Sequence, residues 1–372
     1  MTPRRVLVVG AGLAGVRTAE ALRAGGFDGD VTVVGEEPVA PYERPALSKE
    51  LLAGARTDAS LRPAGYWEER GIALELGRRV GRVDVRARTA DARPWDALVL
   101  ATGARPRTLP AAGRGVLALR TLADADALRE RLRPGARLAV VGAGVLGCEV
   151  ASTALGLDVD VTLVEAGAVP LERVVGPEVG ALVADRFRAR GAAVRLGARV
   201  AALAADRVEL DDGHVIRADA VLVAVGAVPA SELLAGRDGI VTDACGRTAF
   251  PGVYACGDVA AWWRPSLGRA VRAEHWTSAA GQAAAVASGI LGDARPYDEP
   301  PYVWSDVLGL RLQLVGDPGP GARVSVDGGR DAFVARYADT GGRTCAVLAA
   351  NRPDAVAAAR RELAGAAVPL AA

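Results

Sequence analysis

Val6-Leu7-Val8-Val9-Gly10-Ala11-Gly12-Leu13-Ala14-Gly15 stands near the start of the chain, and Leu138-Ala139-Val140-Val141-Gly142-Ala143-Gly144-Val145-Leu146-Gly147 repeats its pattern. Each is an apolar β-type run that ends in Gly-x-Gly-x-x-Gly and opens a helix-like segment. In such a turn the first glycine (Gly10, Gly142) permits the bend and the second (Gly12, Gly144) lets the backbone approach a pyrophosphate. The third (Gly15, Gly147) lets the helix pack on the strand. The phosphate charge then meets the free N–H groups at the helix start, Leu13-Ala14 in one copy and Val145-Leu146 in the other. A second β-type run follows in both copies. Val31-Thr32-Val33-Val34 leads to Gly35-Glu36-Glu37, and Val161-Thr162-Leu163-Val164 leads to Glu165. Glu36 and Glu165 fall about twenty residues after the third glycine, where an acid accepts hydrogen bonds from ribose hydroxyls. One such match in a chain with 45 glycines carries little weight. Two matches, each with strand, helix and acid in place, predict two bound dinucleotides.

The rest of the composition narrows the class. A chain of 372 residues, 51% hydrophobic and 4% aromatic, has room for two or three domains and a large core of α/β type. A net charge of +1 argues against wrapping nucleic acid or binding an acidic membrane. No apolar run reaches the roughly 18 residues of a membrane span, and the first strand begins at Val6, which leaves no space for a signal peptide; a cytoplasmic address is expected. Cys148, Cys245, Cys256 and Cys345 form no Cys-x-x-Cys pair. That spacing predicts neither a metal or iron–sulfur site nor a redox-active dithiol, and each cysteine is expected to be a small buried hydrophobe. Lys49 is the sole lysine among 45 basic side chains. An ammonium is a compact point charge where a guanidinium is a planar fork, so this position is a candidate for a specific task; a surface residue left by a bias toward arginine is the alternative.

The two copies share one plan: strand, glycine turn, helix, strand with terminal acid, and a late strand ending in glycine. The late strands are Ala97-Leu98-Val99-Leu100-Ala101-Thr102-Gly103 and Ala220-Val221-Leu222-Val223-Ala224-Val225-Gly226. Residues 80–88 and 194–210 alternate as small antiparallel sheets do. Phe250-Pro251-Gly252-Val253-Tyr254-Ala255-Cys256-Gly257-Asp258 reads as a further apolar strand ending in Gly-Asp, before an Ala-rich helix over 277–291. Alternation from about residue 300, followed by an Ala/Arg-rich helix, reads as a separate α+β domain. The fold class expected is α/β, two Rossmann-like dinucleotide-binding domains plus a small C-terminal α+β domain. The boundaries expected are 1–108 with 230–299, 109–229, and 300–372.

Pro41-Tyr42-Glu43-Arg44-Pro45-Ala46-Leu47-Ser48-Lys49 resembles the Pro-Tyr-x-Arg-Pro-Pro-Leu-Ser-Lys segment of the FAD-dependent, NADH-oxidising reductases that feed ferredoxins. That family includes putidaredoxin reductase and the reductase components of aromatic-ring dioxygenases, with rubredoxin reductase and apoptosis-inducing factor as more distant relatives. Ala46 replaces the family's second proline and leaves the charged positions intact. Ala101-Thr102-Gly103-Ala104-Arg105-Pro106-Arg107, Gly257-Asp258 and Glu274-His275-Trp276 are similar to further family segments, and the likeness spans essentially the whole chain. It implies a glutathione-reductase-like fold that binds FAD and NADH.

By this resemblance Arg44 contacts the FAD adenosine-pyrophosphate part, Lys49 lies beside flavin N5, Arg107 touches the cofactor and Asp258 binds the ribityl chain. Glu37, Val83, Ala101, Gly257, Glu274, His275, Trp276 and Trp304 complete the FAD set, with His275 assigned to packing rather than proton transfer. Glu165 reads the NADH ribose and disfavours a 2′-phosphate, whereas a neighbouring basic residue, Arg173, could accommodate one. Gly226 lets the backbone pass close to the dinucleotide. Glu149, counted from the third glycine, falls in the first helical turn; it resembles the family glutamate that meets the nicotinamide and pairs with Lys49. The alternative for Glu149 is a favourable acid at a helix start. The implied catalytic pair is therefore Lys49 and Glu149. The implied acceptor is a small acidic [2Fe-2S] ferredoxin serving a cytochrome P450 or an oxygenase, and the protein is expected as a monomer or homodimer. Reduction of rubredoxin, a quinone or a small molecule, and a redox-sensing interaction role, are the competing readings.

Overall fold

The computed structural model describes residues 3–110, 112–234, 236–319 and 321–365. Its first unit is built on a five-stranded parallel sheet in the order Val253–Ala255, Ala97–Leu100, Arg5–Val9, Asp30–Val34, Ile72–Glu75. The second is a four-stranded parallel sheet in the order Ala193–Arg195, Asp160–Val164, Arg137–Val141, Ala220–Val223. In both, the first strand lies between its successor and the late strand, so the strand order reverses at its carboxyl end. That is the crevice where open α/β sheets bind ligands, and here it holds Gly10 and Gly142. The central strands Arg5–Val9, Ala97–Leu100, Arg137–Val141 and Ala220–Val223 are buried along nearly their whole length, which explains their near-continuous Val/Leu/Ala runs.

The correspondence between the units extends to single hydrogen bonds. Val9 pairs with Val34 and Val141 with Val164. Gly10 N donates to Val34 O and Gly142 N to Val164 O, both at 2.8 Å. Helices Leu13–Ala24 and Val145–Leu155 follow the turns. A ribbon of Ala104–Pro106 against Ala227–Pro229 carries the chain between the units. One expectation needs correction: residues 194–210 are not a single antiparallel segment. Ala193–Arg195 joins the parallel sheet, and the small antiparallel sheet is Val200–Ala204, Arg207–Leu210 and Val215–Arg217. A short alternating run does not reveal whether its partner is parallel or antiparallel.

The C-terminal part is a five-stranded antiparallel sheet, Tyr302–Val307, Leu310–Gly316, Thr344–Ala350, Phe333–Ala338, Arg323–Gly328, with helix Pro353–Gly365. It does not stand apart. Val307, Leu312 and Phe333 share one hydrophobic core with Val150 and Leu171 of the second unit and with Leu47 and Leu52 of the first. Tyr337 Oη donates to Val175 O at 2.7 Å, and Leu308 N donates to Ser152 Oγ at 2.8 Å. Packing of this kind fixes the C-terminal strand 302–307 relative to the helix that follows the second glycine turn. Among the described residues, no helix is long and apolar enough to cross a membrane.

Candidate functional site

The two glycine turns divide their labour as backbone geometry requires. Gly10 and Gly142 have φ of 116° and 100°, a region that side chains rarely enter. A Cβ on either would stand 2.1 Å from Ala101 O or 2.5 Å from Ala224 O. A Cβ on Gly15 or Gly147 would stand 1.9 Å from the carbonyl of Gly10 or Gly142, so the third glycine permits helix–strand contact. At Gly12 and Gly144 nothing lies within 4 Å. The open side of each turn is thus at the second glycine, where helix N–H groups carry no side-chain cap and no acid sits in the first turn. Two cradles of this form fit two pyrophosphates.

Around the first cradle, charged side chains converge. Arg44 Nη2 lies 2.6 Å from Glu37 Oε1, and its Nη1 donates to Tyr42 Oη and to the backbone oxygen of Arg120. Tyr42 Oη donates to Glu37 Oε2 at 2.7 Å, and burial beside that carboxylate pushes the phenol well above its ordinary range. Glu36 is more exposed and sits 3.5 Å from Arg79. Strand register accounts for the offset: Gly35 takes the place that Glu165 takes in the second unit, and a Cβ at Gly35 would fall 2.6 Å from Ala11 Cβ. Here the acids follow one and two positions later. Gly257, with φ 76°, abuts Ala14, and Asp258 Oδ2 lies 2.7 Å from Arg120 Nη2. His275 precedes helix Trp276–Leu291 as its cap residue. Burial holds its imidazole below the ordinary value, opposed by the Asp258 charge. Glu274 is exposed and pairs with Arg272. Val83 packs, half-buried, against the core of the first unit.

The second cradle is clamped by Glu165, whose Oε2 accepts from Ala143 N at 2.6 Å and Oε1 from Gly167 N at 2.7 Å. Arg173 lies exposed in the first turn of helix Glu172–Ala189. Arg107 N donates to Gly226 O at 2.9 Å, so these two residues meet at the interunit ribbon rather than within either turn.

Lys49 and Glu149 join the halves. Lys49 Nζ lies 2.6 Å from Glu149 Oε2, with the side chains only 12% and 7% exposed. Ser48 Oγ donates to the same oxygen at 2.6 Å, and Ser305 Oγ donates to Oε1 at 2.7 Å. The Trp304 ring centroid lies 5.0 Å from Lys49 Nζ and 4.2 Å from the Arg311 guanidinium, both favourable cation–π distances. One carboxylate therefore receives contacts from the 3-10 turn Arg44–Ser48 and its successor Lys49, and from the C-terminal strand. Glu149 lies in the second turn of its helix, not the first; the first turn has no acid. Its surroundings, not the helix dipole, explain its burial.

Cysteine takes no part in this junction. Cys148 and Cys256 are buried, and burial drives both thiols up, Cys256 to about 12. Cys345 departs from the expectation of burial: it is only partly covered, and its Sγ donates to Tyr337 O at 3.4 Å. Three contributors escaped the sequence reading, namely Arg120, Ser48 and Ser305. Leu119-Arg120-Thr121 before an acidic turn offered one signal, since Thr121 and Asp124 form a capping box that fixes Arg120 at a helix start. Isolated serines offered none.

With two nucleotide cradles, one in each unit, and a buried ion pair that joins the units, the architecture defines a two-dinucleotide oxidoreductase. The chain belongs to the pyridine nucleotide-disulphide oxidoreductase family, whose model matches residues 4–283, and a reductase C-terminal domain matches 302–372. It is an oxidoreductase that binds FAD and NAD(H). It is 39% identical to the ferredoxin–NAD(+) reductase component of the p-cumate 2,3-dioxygenase system of Pseudomonas putida, over 96% of this chain and 92% of that protein. It is 36% identical to a rubredoxin–NAD(+) reductase of Pseudomonas putida, over 84% of this chain and 86% of that protein. The crystal structure of the covalent putidaredoxin reductase–putidaredoxin complex matches with a TM-score of 0.92 at 34% identity, over 96% of this chain and 92% of that one.

Proposed function

We propose that this protein oxidises NADH and passes the electrons singly to a small [2Fe-2S] ferredoxin that serves a cytochrome P450 or an oxygenase. The observation that carries the reading is the buried Lys49–Glu149 pair, which ties the turn before Lys49 to the helix that follows the second cradle and lies beside Trp304. Converting a two-electron donor for a one-electron acceptor is the chemistry that bound FAD supplies. In this reading Gly12, Leu13 and Ala14 hold the FAD pyrophosphate, with Arg44 and Arg107 on the cofactor and Asp258 on its ribityl chain. Gly144, Val145 and Leu146 hold that of NADH, and Glu165 disfavours a 2′-phosphate. Lys49 presents a cation at the reacting centre, and Glu149 anchors that cation from the nucleotide side. Trp304 and the C-terminal strand exclude water from the pair. The units divide as 1–108 with 230–299 for FAD, 109–229 for NADH, and 300–372.

A disulphide acceptor within the chain is disfavoured, because no low-pKa thiol lies beside Lys49. An external carrier remains, and the name of the dioxygenase-system relative favours ferredoxin for it. The rubredoxin reductase relative favours rubredoxin as the second reading. A cytoplasmic monomer or homodimer fits both. The test is NADH oxidation by the FAD-loaded protein with a panel of ferredoxins and rubredoxins, cytochrome c serving as final acceptor. Acceleration by a [2Fe-2S] ferredoxin supports the reading; acceleration by rubredoxin alone replaces it with the second.

A further inference from the structure

We propose that Ser305 is a positioning residue for the nicotinamide site: its hydroxyl holds one oxygen of Glu149 so that the other is presented to Lys49. The proposal rests on the junction being the NADH site. Glu149 has two oxygens and the structure treats them differently. Oε2 is shared by Lys49 Nζ and Ser48 Oγ, both at 2.6 Å, while Oε1 accepts from Ser305 Oγ at 2.7 Å. Glu149 and Ser305 are 6% and 4% exposed, so bulk water is a poor substitute for a missing hydroxyl. A buried carboxylate oxygen left without a donor turns toward another one. Here the available donors are already on Oε2, so the turn would disturb the hold on Lys49.

The placement of Ser305 is itself rigid. Three residues on, Leu308 N donates to Ser152 Oγ at 2.8 Å, and Thr153 Oγ1 donates to Ser48 O at 2.7 Å. The helix that carries Glu149 is thereby tied both to the C-terminal strand and to the turn before Lys49. Neighbouring residues of an extended strand point to opposite faces. Trp304 meets the cation while Ser305 meets the anion, so strand Tyr302–Val307 grips both members of the ion pair. The C-terminal sheet thus acts on the nucleotide side of the reaction as well as covering it.

The test uses FAD-loaded wild type, Ser305→Ala and Ser305→Thr with ferricyanide as acceptor, so that no protein carrier enters. It measures KM and kcat for NADH, and the dissociation constant for NAD+ by equilibrium dialysis. Ser305→Ala is expected to keep its FAD, to raise KM and the NAD+ dissociation constant about tenfold, and to change kcat far less. Ser305→Thr, which keeps the hydroxyl, is expected to restore both to near wild type. Values for Ser305→Ala within twofold of wild type overturn the proposal. So does equal impairment in Ser305→Thr, or loss of FAD from both variants, since packing rather than the hydroxyl would then be at stake. A wild-type protein that fails to oxidise NADH with ferricyanide counts instead against the proposed function.

Discussion

Replacing Glu149 by glutamine keeps the side-chain shape and removes the charge facing Lys49. At the observed 2.6 Å, an effective dielectric constant of about 20 gives an attraction of about 6 kcal/mol. Desolvation of both ions in so covered a site offsets much of this. Lys49 also keeps its contacts to Pro45 O at 3.2 Å and Ser48 Oγ at 3.4 Å. A net loss of about 2 kcal/mol remains, or about 30-fold in a rate that depends on the pair. The assay is anaerobic stopped-flow bleaching of the flavin by NADH for wild type, Glu149→Gln, Lys49→Met and the double variant. If the pair acts as a unit, the double variant bleaches about as slowly as the worse single one. Independent residues would add to about 4 kcal/mol, roughly 900-fold. A double variant near that product, or single variants at wild-type speed, would show that the pair does not act as a unit.

Other substitutions separate cofactor binding from folding. A Cβ added at Gly144 meets no neighbour within 4 Å, so the thermal stability of Gly144→Val is expected to hold while NAD+ binding by calorimetry disappears. Gly147→Ala places Cβ 1.9 Å from Gly142 O and is expected to cost roughly 3 kcal/mol, visible as a lowered Tm. Arg120→Ala strands Asp258, 16% exposed; about tenfold weaker FAD retention is expected, measured as flavin released on dialysis. Glu165→Ala removes the carboxylate that bridges Ala143 N and Gly167 N. The ratio of kcat/KM for NADH over NADPH should fall, and equal loss for both nucleotides would make the acid purely structural.

What was legible in the sequence was local. The glycine turns, their strands and the terminal acids occupy contiguous stretches, and backbone sterics alone dictate glycine at Gly10, Gly15, Gly142 and Gly147. The odd lysine was visible because one cation type is rare in this chain. The helical phase of Glu149 was missed by one turn, because counting from the third glycine ignores that the helix begins at Val145. The offset between Gly35 and Glu165 appears only in the strand register. Long-range contacts were out of reach: Ser305 meets Glu149 across 156 positions and Arg120 meets Asp258 across 138. Serine and arginine in isolation have too many ordinary uses to mark either contact.

In the proposed reaction electrons enter in pairs from NADH and leave singly to an iron–sulfur carrier. It is tested most directly by anaerobic stoichiometry, with limiting NADH, catalytic FAD-loaded protein and excess oxidised [2Fe-2S] ferredoxin. Two ferredoxins are expected to be reduced for each NADH consumed, with NADPH much slower. Ferredoxin that stays oxidised, with NADH left unconsumed beyond the one equivalent that the catalytic flavin takes up, would contradict it.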